Sequence, residues 1–237
     1  MKWLVGLVGL LAIEAHSQQV VIKTGSAPDA VALQLVQEAG QRLTLPVLPS
    51  LRHERHVRLF MGPQVLDVWQ APRGAYHAQL LNWVEKVGSK IDNSTPPLFI
   101  RSQPLTEPTA RALFAVLDSC QLLSLPDDRA IPGWQPMLDG EAYTLEYADS
   151  LTHRVATFGN PDAQHGVWQA HLVQQVVTRL QTLSQAPVHW QAFGRKIPYK
   201  CYSYNSGVVF CRPVNAAQQR ASQRERRRAR RQKAGSS

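Results

Sequence analysis

A short hairpin near the C-terminus constrains the fold of this 237-residue chain most strongly. Residues 200–212 read KCYSYNSGVVFCR, with Asn205-Ser206-Gly207 between two runs of strand-forming residues. A three-residue loop of this kind fits a type I turn followed by a left-handed residue, a position that favours glycine. The resulting register places Cys201 opposite Cys211, in a pair whose Cα atoms lie about 4.5 Å apart and therefore within disulfide reach. We predict a disulfide between these two cysteines.

The same register brings four side chains to one face of the hairpin: Tyr202, Tyr204, Val208 and Phe210. The favoured interpretation is that this face packs on the core through cross-strand pairs. The alternative is a stacking platform for bases or sugars, because Lys196, Lys200 and Arg212 lie beside it in the sequence. The third cysteine, Cys120, lies on an apolar helical face and is predicted to be a small buried hydrophobe.

The N-terminus has the organisation of a secretory signal peptide. Residues 1–17 read MKWLVGLVGLLAIEAHS, with Lys2 before an apolar run and small residues at the −3 and −1 positions before Gln18. That run is shorter than the roughly 20 residues that span a bilayer. The sequence therefore predicts an exported protein, periplasmic or extracellular, in an oxidising compartment that permits the disulfide. An N-terminal buried helix or strand is the alternative.

Positive charge is concentrated in residues 216–237, which we predict to be a disordered basic tail. Of the formal net charge of +9, this tail carries +7, from one glutamate and eight cations: Arg220, Arg224, Arg226, Arg227, Arg228, Arg230, Arg231 and Lys233. Residues 1–215 carry the remaining +2. A basic arm of this kind is typical of binding to anionic lipid, surface glycolipid or nucleic acid. A solvated tail without a partner, or one removed by processing, is the alternative.

Hydrophobic periodicity divides residues 18–215 into alternating helices and strands without regular βαβ units, which indicates an α+β fold. Antiparallel strands and hairpins would pack with two or three helices. Helices are predicted over 30–43, 109–123 and 164–183, and strands over 20–22, 56–61, 65–70, 76–87, 143–147, 153–158 and 189–193. The strands from 56 to 87 form an antiparallel meander. Residues 88–106 are interpreted as a loop-rich connection and as a possible subdivision of a single domain.

Catalytic motifs are weak in this chain, since it contains no nucleophile elbow and no phosphate-binding glycine loop. Asp139, Glu141 and Glu146 could supply the paired carboxylates of a glycoside hydrolase. Asp139-Gly140 is better interpreted as a turn, and Glu146 alternates with apolar residues of a strand. The sequence therefore favours a non-enzymatic protein and predicts no cofactor.

Histidine spacing gives little indication of a metal site. His53-Glu54-Arg55-His56 could be half of one, but it lacks the helical i, i+4 spacing of known motifs. We therefore interpret these residues as polar side chains at the start of a strand. His165 and His171 are six residues apart and are expected on opposite sides of one helix, with His171 in the core. No metal site is predicted.

Two segments resemble uncharacterised exported bacterial proteins. One is LDGEAYTLEY at 138–147, followed by Asn160-Pro161, and the other is YKCYSY at 199–204, leading into VVFC at 208–211. They are similar to a "DGxxYxLE" strand and a C-terminal "CYSY" hairpin in those proteins. The resemblance covers the C-terminal third of the chain. It implies export and an α+β body and brings no activity with it.

Together these observations favour an exported, non-enzymatic protein of the bacterial envelope whose tail holds it on an anionic surface or partner. One alternative is an exported hydrolase of envelope polymers that uses an acid among Asp139, Glu141 and Glu146. A second alternative is a nucleic-acid-binding protein that combines the tail with the aromatic residues of the hairpin.

Overall fold

The computed structural model describes residues 27–48, 53–87, 96–136, 140–204 and 208–212. Five of the features predicted above lie outside these residues: the signal peptide, the strand at 20–22, Asp139, the hairpin loop 205–207 and the basic tail. The described part of the chain folds into one antiparallel sheet of eight strands and four helices. The predicted α+β class is confirmed.

The strands are β1 (Arg55–Met61), β2 (Gln64–Gln70), β3 (Tyr76–Lys86), β4 (Leu98–Leu105), β5 (Ala142–Asp149), β6 (His153–Gly159), β7 (Cys201–Ser203) and β8 (Val209–Cys211). The helices are α1 (Ala27–Arg42), α2 (Glu107–Ser119), α3 (Trp168–Leu183) and α4 (Ala186–Gly194). The first three strands form the predicted meander, and β5 and β6 form the predicted second hairpin.

The sheet runs in the order β6-β5-β1-β2-β3, and the far edge of β3 is shared by β4 and β7. Strand β1 lies at the centre, between β2 and β5. Its register places Arg58 beside Asp67 of β2 on one side and beside Glu146 of β5 on the other. Two charged residues of one hairpin thus meet a third, Glu146, from a distant part of the sequence, in one row across the sheet.

One face of the sheet packs against α2 and α3 and forms the main core. Alternate residues of β1 (Val57, Leu59 and Met61) contribute to this core together with Phe114 of α2 and other helical side chains. Helix α2 begins at Glu107, two residues before the predicted start, and the Thr106 hydroxyl caps it by accepting a hydrogen bond from the Thr109 amide. None of the helices in the described ranges combines the length and the apolarity needed to cross a membrane.

The opposite face is covered by α1 and the segment that follows it. Val36 of α1 contributes with Val155 to one small apolar cluster, and Leu43 contributes with Val65 and Leu81 to another. Between these apolar patches lie five buried polar side chains: His56, Arg58, Asp67, Glu146 and His153. This face is therefore where the structure departs most from an ordinary apolar core.

Two of the predicted elements are wrong in type. Residues 98–105 were expected in a loop but form β4, which pairs with β3 from Ala78 to Glu85. Its polar composition and Pro104 obscure the strand pattern, and proline is tolerated in an edge strand. The strand expected at 189–193 lies inside α4, where Pro187 occupies the first turn, as proline does in many helices.

Helix α3 begins at Trp168 and not at 164, because residues 161–163 form a separate 3₁₀ turn. Gly166 between them has φ +78°, a left-handed conformation that interrupts a helix. His171, predicted to be a core residue, is exposed on α3. Helix α2 ends at Ser119 and is followed by a 3₁₀ turn at Gln121–Ser124, so that Cys120 is only half-buried.

Candidate functional site

The terminal hairpin has the predicted register. Tyr202 pairs with Phe210 and Ser203 with Val209, which places Cys201 opposite Cys211. The two cysteine Cα atoms lie 4.1 Å apart and their Sγ atoms are at bonding distance. The predicted pairing of Cys201 with Cys211 is confirmed as a geometry suited to a disulfide.

Backbone and side-chain hydrogen bonds fix this hairpin to the edge of the sheet. Residues 202 and 203 of β7 pair with the end of β3, and the Val87 amide donates to the Cys201 carbonyl over 3.2 Å. On the other strand, Arg212 Nη2 donates to the carbonyls of Ile197 at 2.6 Å and Gly194 at 3.2 Å. Arg212, the last described residue, is therefore held at a fixed position at the edge of the sheet.

The aromatic face of the hairpin is partly buried and partly open. Phe210 stacks between the two tyrosines, with ring centroids 5.7 Å from Tyr202 and 5.1 Å from Tyr204. Both tyrosines are half-buried and pack against Val84 and its neighbours, as the favoured interpretation requires. Phe210 remains 36% exposed and Val208 58% exposed. The tyrosines anchor the hairpin, and Phe210 with Val208 presents an apolar surface.

Four exposed cations lie in or shortly before the hairpin in the sequence: Arg195, Lys196, Lys200 and Arg212. Among the described residues, none of the four takes part in an ion pair, and Arg212 donates only to backbone carbonyls. Because nothing in that part of the chain neutralises them, their charge is available to a partner. The eight cations of the predicted anion-binding tail follow Arg212 in the sequence and lie outside the described residues.

A second candidate site is the row of buried charges on the α1 side of the sheet. The Arg58 guanidinium donates from Nε to Asp67 Oδ1 over 3.1 Å. Its Nη1 donates to Glu146 Oε2 and to the Pro46 carbonyl, each over 3.2 Å. Its Nη2 is buried without a hydrogen-bond partner among the described residues. Arg58 is therefore the shared cation of two carboxylates.

A histidine completes the row at each end. His56 Nε2 lies 2.7 Å from Asp67 Oδ1, and His153 Nε2 lies 3.0 Å from Glu146 Oε1. Burial alone would raise the pKa of Asp67, but the hydrogen bond from His56 and the charge of Arg58 lower it below its ordinary value.

The row approaches solvent at a cluster of imidazole and indole rings. His56 Nδ1 faces His53 Nδ1 across 3.0 Å. The His53 ring stacks on Trp69 with centroids 5.8 Å apart, and His77 stacks on Trp69 at 5.5 Å. Burial, His56 and His77 lower the pKa of His53, although Asp67 opposes them, which favours the neutral ring at pH 7.

The predicted carboxylates do not form a pair in the described part of the structure. Glu141 is exposed and accepts a 2.7 Å hydrogen bond from the Tyr143 hydroxyl. Glu146, five residues further along the chain, lies on the opposite face of the sheet, since successive strand residues alternate between faces. Both of its oxygens are engaged, one with Arg58 and one with His153. Asp139 lies outside the described residues.

The structure places His165 and His171 differently from the prediction. His165 precedes α3, and the two residues line one shallow cleft with Trp168 and Gln174. Taken over the described ranges, no group of three or more histidine, cysteine or acidic side chains is arranged to hold a metal ion.

No family model matches the chain. The resemblance of its C-terminal third to exported bacterial proteins therefore stays a prediction.

Proposed function

We propose that this chain is an exported, non-enzymatic protein that attaches to an anionic surface of the cell envelope through its terminal hairpin and basic tail. One observation carries the proposal: residues 163–224 contain no aspartate or glutamate. This segment includes α3, α4, the hairpin and the first part of the tail. The charge of the tail thus continues without interruption onto the folded body.

Positive and negative charges are distributed unequally between the two parts of the sequence. Residues 163–215 contain five cations and no acid, so residues 1–162 carry a formal charge of −3. Such an asymmetry orients a protein in the field of a charged surface. The hairpin lies within the positive part of the sequence, between α4 and the basic tail, which supports attachment at that point.

The geometry of the hairpin suits a shallow surface contact. Phe210 and Val208 are exposed beside Lys200 and Arg212, so that an apolar contact and ionic contacts would form together. Each lysine or arginine near an anionic membrane contributes about 1 kcal/mol at moderate salt. The folded cations and the tail then add to a binding free energy that salt reduces strongly.

The hydrolase alternative receives less support from the described residues. Glu146 is 3% exposed and both of its oxygens are engaged. A general acid or nucleophile must reach its substrate, and Glu146 does not.

Co-sedimentation with lipid vesicles tests the proposal directly. At low salt, the full chain is expected to bind vesicles that contain anionic lipid and not to bind neutral vesicles. High salt should release it from the anionic vesicles. Truncation after Asn215 should abolish most of the binding, and the double variant Lys196→Gln/Lys200→Gln should weaken it. Arg73→Gln/Arg179→Gln is the matched control, because it removes the same number of positive charges from exposed positions outside the hairpin. Arg73 lies in the turn between β2 and β3, and Arg179 lies on α3 near Cys120.

Equal binding by the full and truncated chains would overturn the proposal, as would binding that high salt leaves unchanged. Duplex DNA added as a competitor tests the nucleic-acid alternative. The concentration of DNA phosphate that displaces the protein is compared with the concentration of anionic lipid that binds it. If much less phosphate than anionic lipid is needed, the partner is a nucleic acid and the proposal is wrong.

A further inference from the structure

We propose that His53 and His56 form a binding site for one divalent transition-metal ion, with Cu²⁺ preferred. The two Nδ1 atoms lie 3.0 Å apart at the edge of the buried charge row. This site lies beside Trp69 and His77, at the start of β3, whereas the hairpin pairs with β3 at Glu85 and Lys86. Nine strand residues separate the two places by about 30 Å, so the inference does not rest on the proposed function.

Asp67 prepares His56 to act as a ligand. Because Asp67 Oδ1 lies 2.7 Å from His56 Nε2, the imidazole keeps a proton on Nε2 and directs the Nδ1 lone pair towards His53. A carboxylate behind a ligating histidine is the usual outer-shell arrangement of protein metal sites. Arg58 and Gln79 hold Asp67 in turn, at 3.1 Å and 3.3 Å. The His56 ring therefore has a fixed tautomer and a fixed direction.

The separation of the two nitrogens is compatible with adjacent positions around one ion. Ligands at right angles, each about 2.0–2.1 Å from the ion, are about 2.9 Å apart, whereas tetrahedral ligands are about 3.3–3.4 Å apart. The 3.0 Å between His53 Nδ1 and His56 Nδ1 is closer to the first value. Square-planar or tetragonal sites with nitrogen ligands are typical of Cu²⁺ and Ni²⁺, and Cu²⁺ binds more tightly in the general affinity order.

In the absence of metal, the same separation fits a hydrogen bond from His53 to His56. An ion can replace that bond if the His53 proton moves from Nδ1 to Nε2, which leaves both Nδ1 lone pairs free. Since the described residues offer no third ligand, water would fill the remaining positions. The exposure of His77 and the partial exposure of His53 leave a path from solvent.

Titration of the full chain with Cu²⁺ tests the site, with tryptophan fluorescence and electron paramagnetic resonance as readouts. We expect one ion per chain, quenching of indole emission because Trp69 stacks on His53, and a nitrogen hyperfine pattern from two imidazoles. His53→Gln should weaken binding at least tenfold and remove one nitrogen from the spectrum. Asp67→Asn should weaken it by about 10–100-fold, the usual effect of losing an outer-shell carboxylate.

His77→Gln is the matched control, because His77 also stacks on Trp69 but lies on β3, which strand β2 separates from β1. It should leave the affinity within twofold of the parent. Ni²⁺ serves as a second probe, since the Cys120 thiol could reduce Cu²⁺. The proposal is wrong if the parent binds no stoichiometric ion, if His53→Gln binds as tightly as the parent, or if His77→Gln weakens binding equally. His53 is half-buried and not in a strand, so its variant should fold, which circular dichroism would verify.

Discussion

Arg58 and Glu146 are 88 residues apart in the sequence, yet Arg58 Nη1 lies 3.2 Å from Glu146 Oε2 between two central strands. Their side chains are 2% and 4% exposed. Through Asp67, His56 and His153 this ion pair extends across β6, β5, β1 and β2. A buried row of this kind makes the alignment of four strands depend on one guanidinium.

Replacing that guanidinium should therefore be costly. Arg58→Met keeps an unbranched apolar stem but removes the guanidinium, which leaves Asp67 and Glu146 buried without their shared cation. Breaking a buried ion pair on one side costs about 3–5 kcal/mol. We expect the free energy of unfolding, measured by urea titration, to fall by that amount.

Arg111→Met is the control for this measurement. Arg111 also forms an ion pair, with Glu107 one turn away on α2, but both side chains are more than half exposed. Exposed pairs of this type contribute about 0.5 kcal/mol or less. If the two variants lose similar free energy of unfolding, burial does not strengthen the contribution of Arg58, and the row is solvated.

Acid should weaken the row through Asp67. Its pKa in the folded state lies below the ordinary value, so its stabilising contribution is complete above the unfolded pKa of about 3.9 and is lost as the pH falls towards the folded pKa. We expect stability to decrease as the pH is lowered below about 4. Asp67→Asn should flatten this part of the curve of unfolding free energy against pH.

The comparison for the pH profile is Asp118→Asn, since Asp118 pairs with Arg55 at the surface. The slope, not the absolute stability, is the quantity of interest, because Asp67→Asn will also destabilise the protein at neutral pH. A slope that both variants share with the parent would show that Asp67 does not contribute to acid unfolding.

The elements that the sequence predicts well are those specified by local signals. Alternation with period two and the turns at Gly62-Pro63 and Gly74 define β1, β2 and β3 without any knowledge of the rest of the fold. The register of the terminal hairpin follows in the same way from its three-residue loop. Both depend on residues that are neighbours in the chain.

The buried row could not be predicted because it depends on contacts between distant segments. Arg58 alternates with Val57 and Leu59, which is the pattern of a strand with one face in water. That interpretation fails because α1 and the following segment cover the second face. The sequence likewise suggests Glu146 as a catalytic acid, because it too occupies a strand position expected to face water. The sequence does contain one signal for the buried row, since three strands that are rich in apolar residues each carry a charged residue in their middle part.

Two glycines should respond oppositely to alanine. Gly140 has φ +124°, and a Cβ there would overlap the side chain of Asn160. Left-handed strain alone costs about 1–3 kcal/mol, so Gly140→Ala should lower the urea midpoint clearly. Gly40 lies in helix α1 with no atom close to the added Cβ. Gly40→Ala should stabilise the protein by about 0.5–1 kcal/mol. Stabilisation by both substitutions would contradict the backbone conformation at Gly140.

The last prediction concerns Cys120, the cysteine outside the hairpin pair. Burial raises the pKa of its thiol above the ordinary value, so less thiolate is present at neutral pH. Because the thiolate is the nucleophile, iodoacetamide should modify the folded protein at least about threefold more slowly than a free small thiol. Intact mass should show one adduct on the oxidised chain and three after reduction and unfolding, since the chain has three cysteines. Rapid addition of three adducts without reduction would mean that Cys201 and Cys211 are not joined, and rapid addition of one would mean that the Cys120 thiol is not protected by burial.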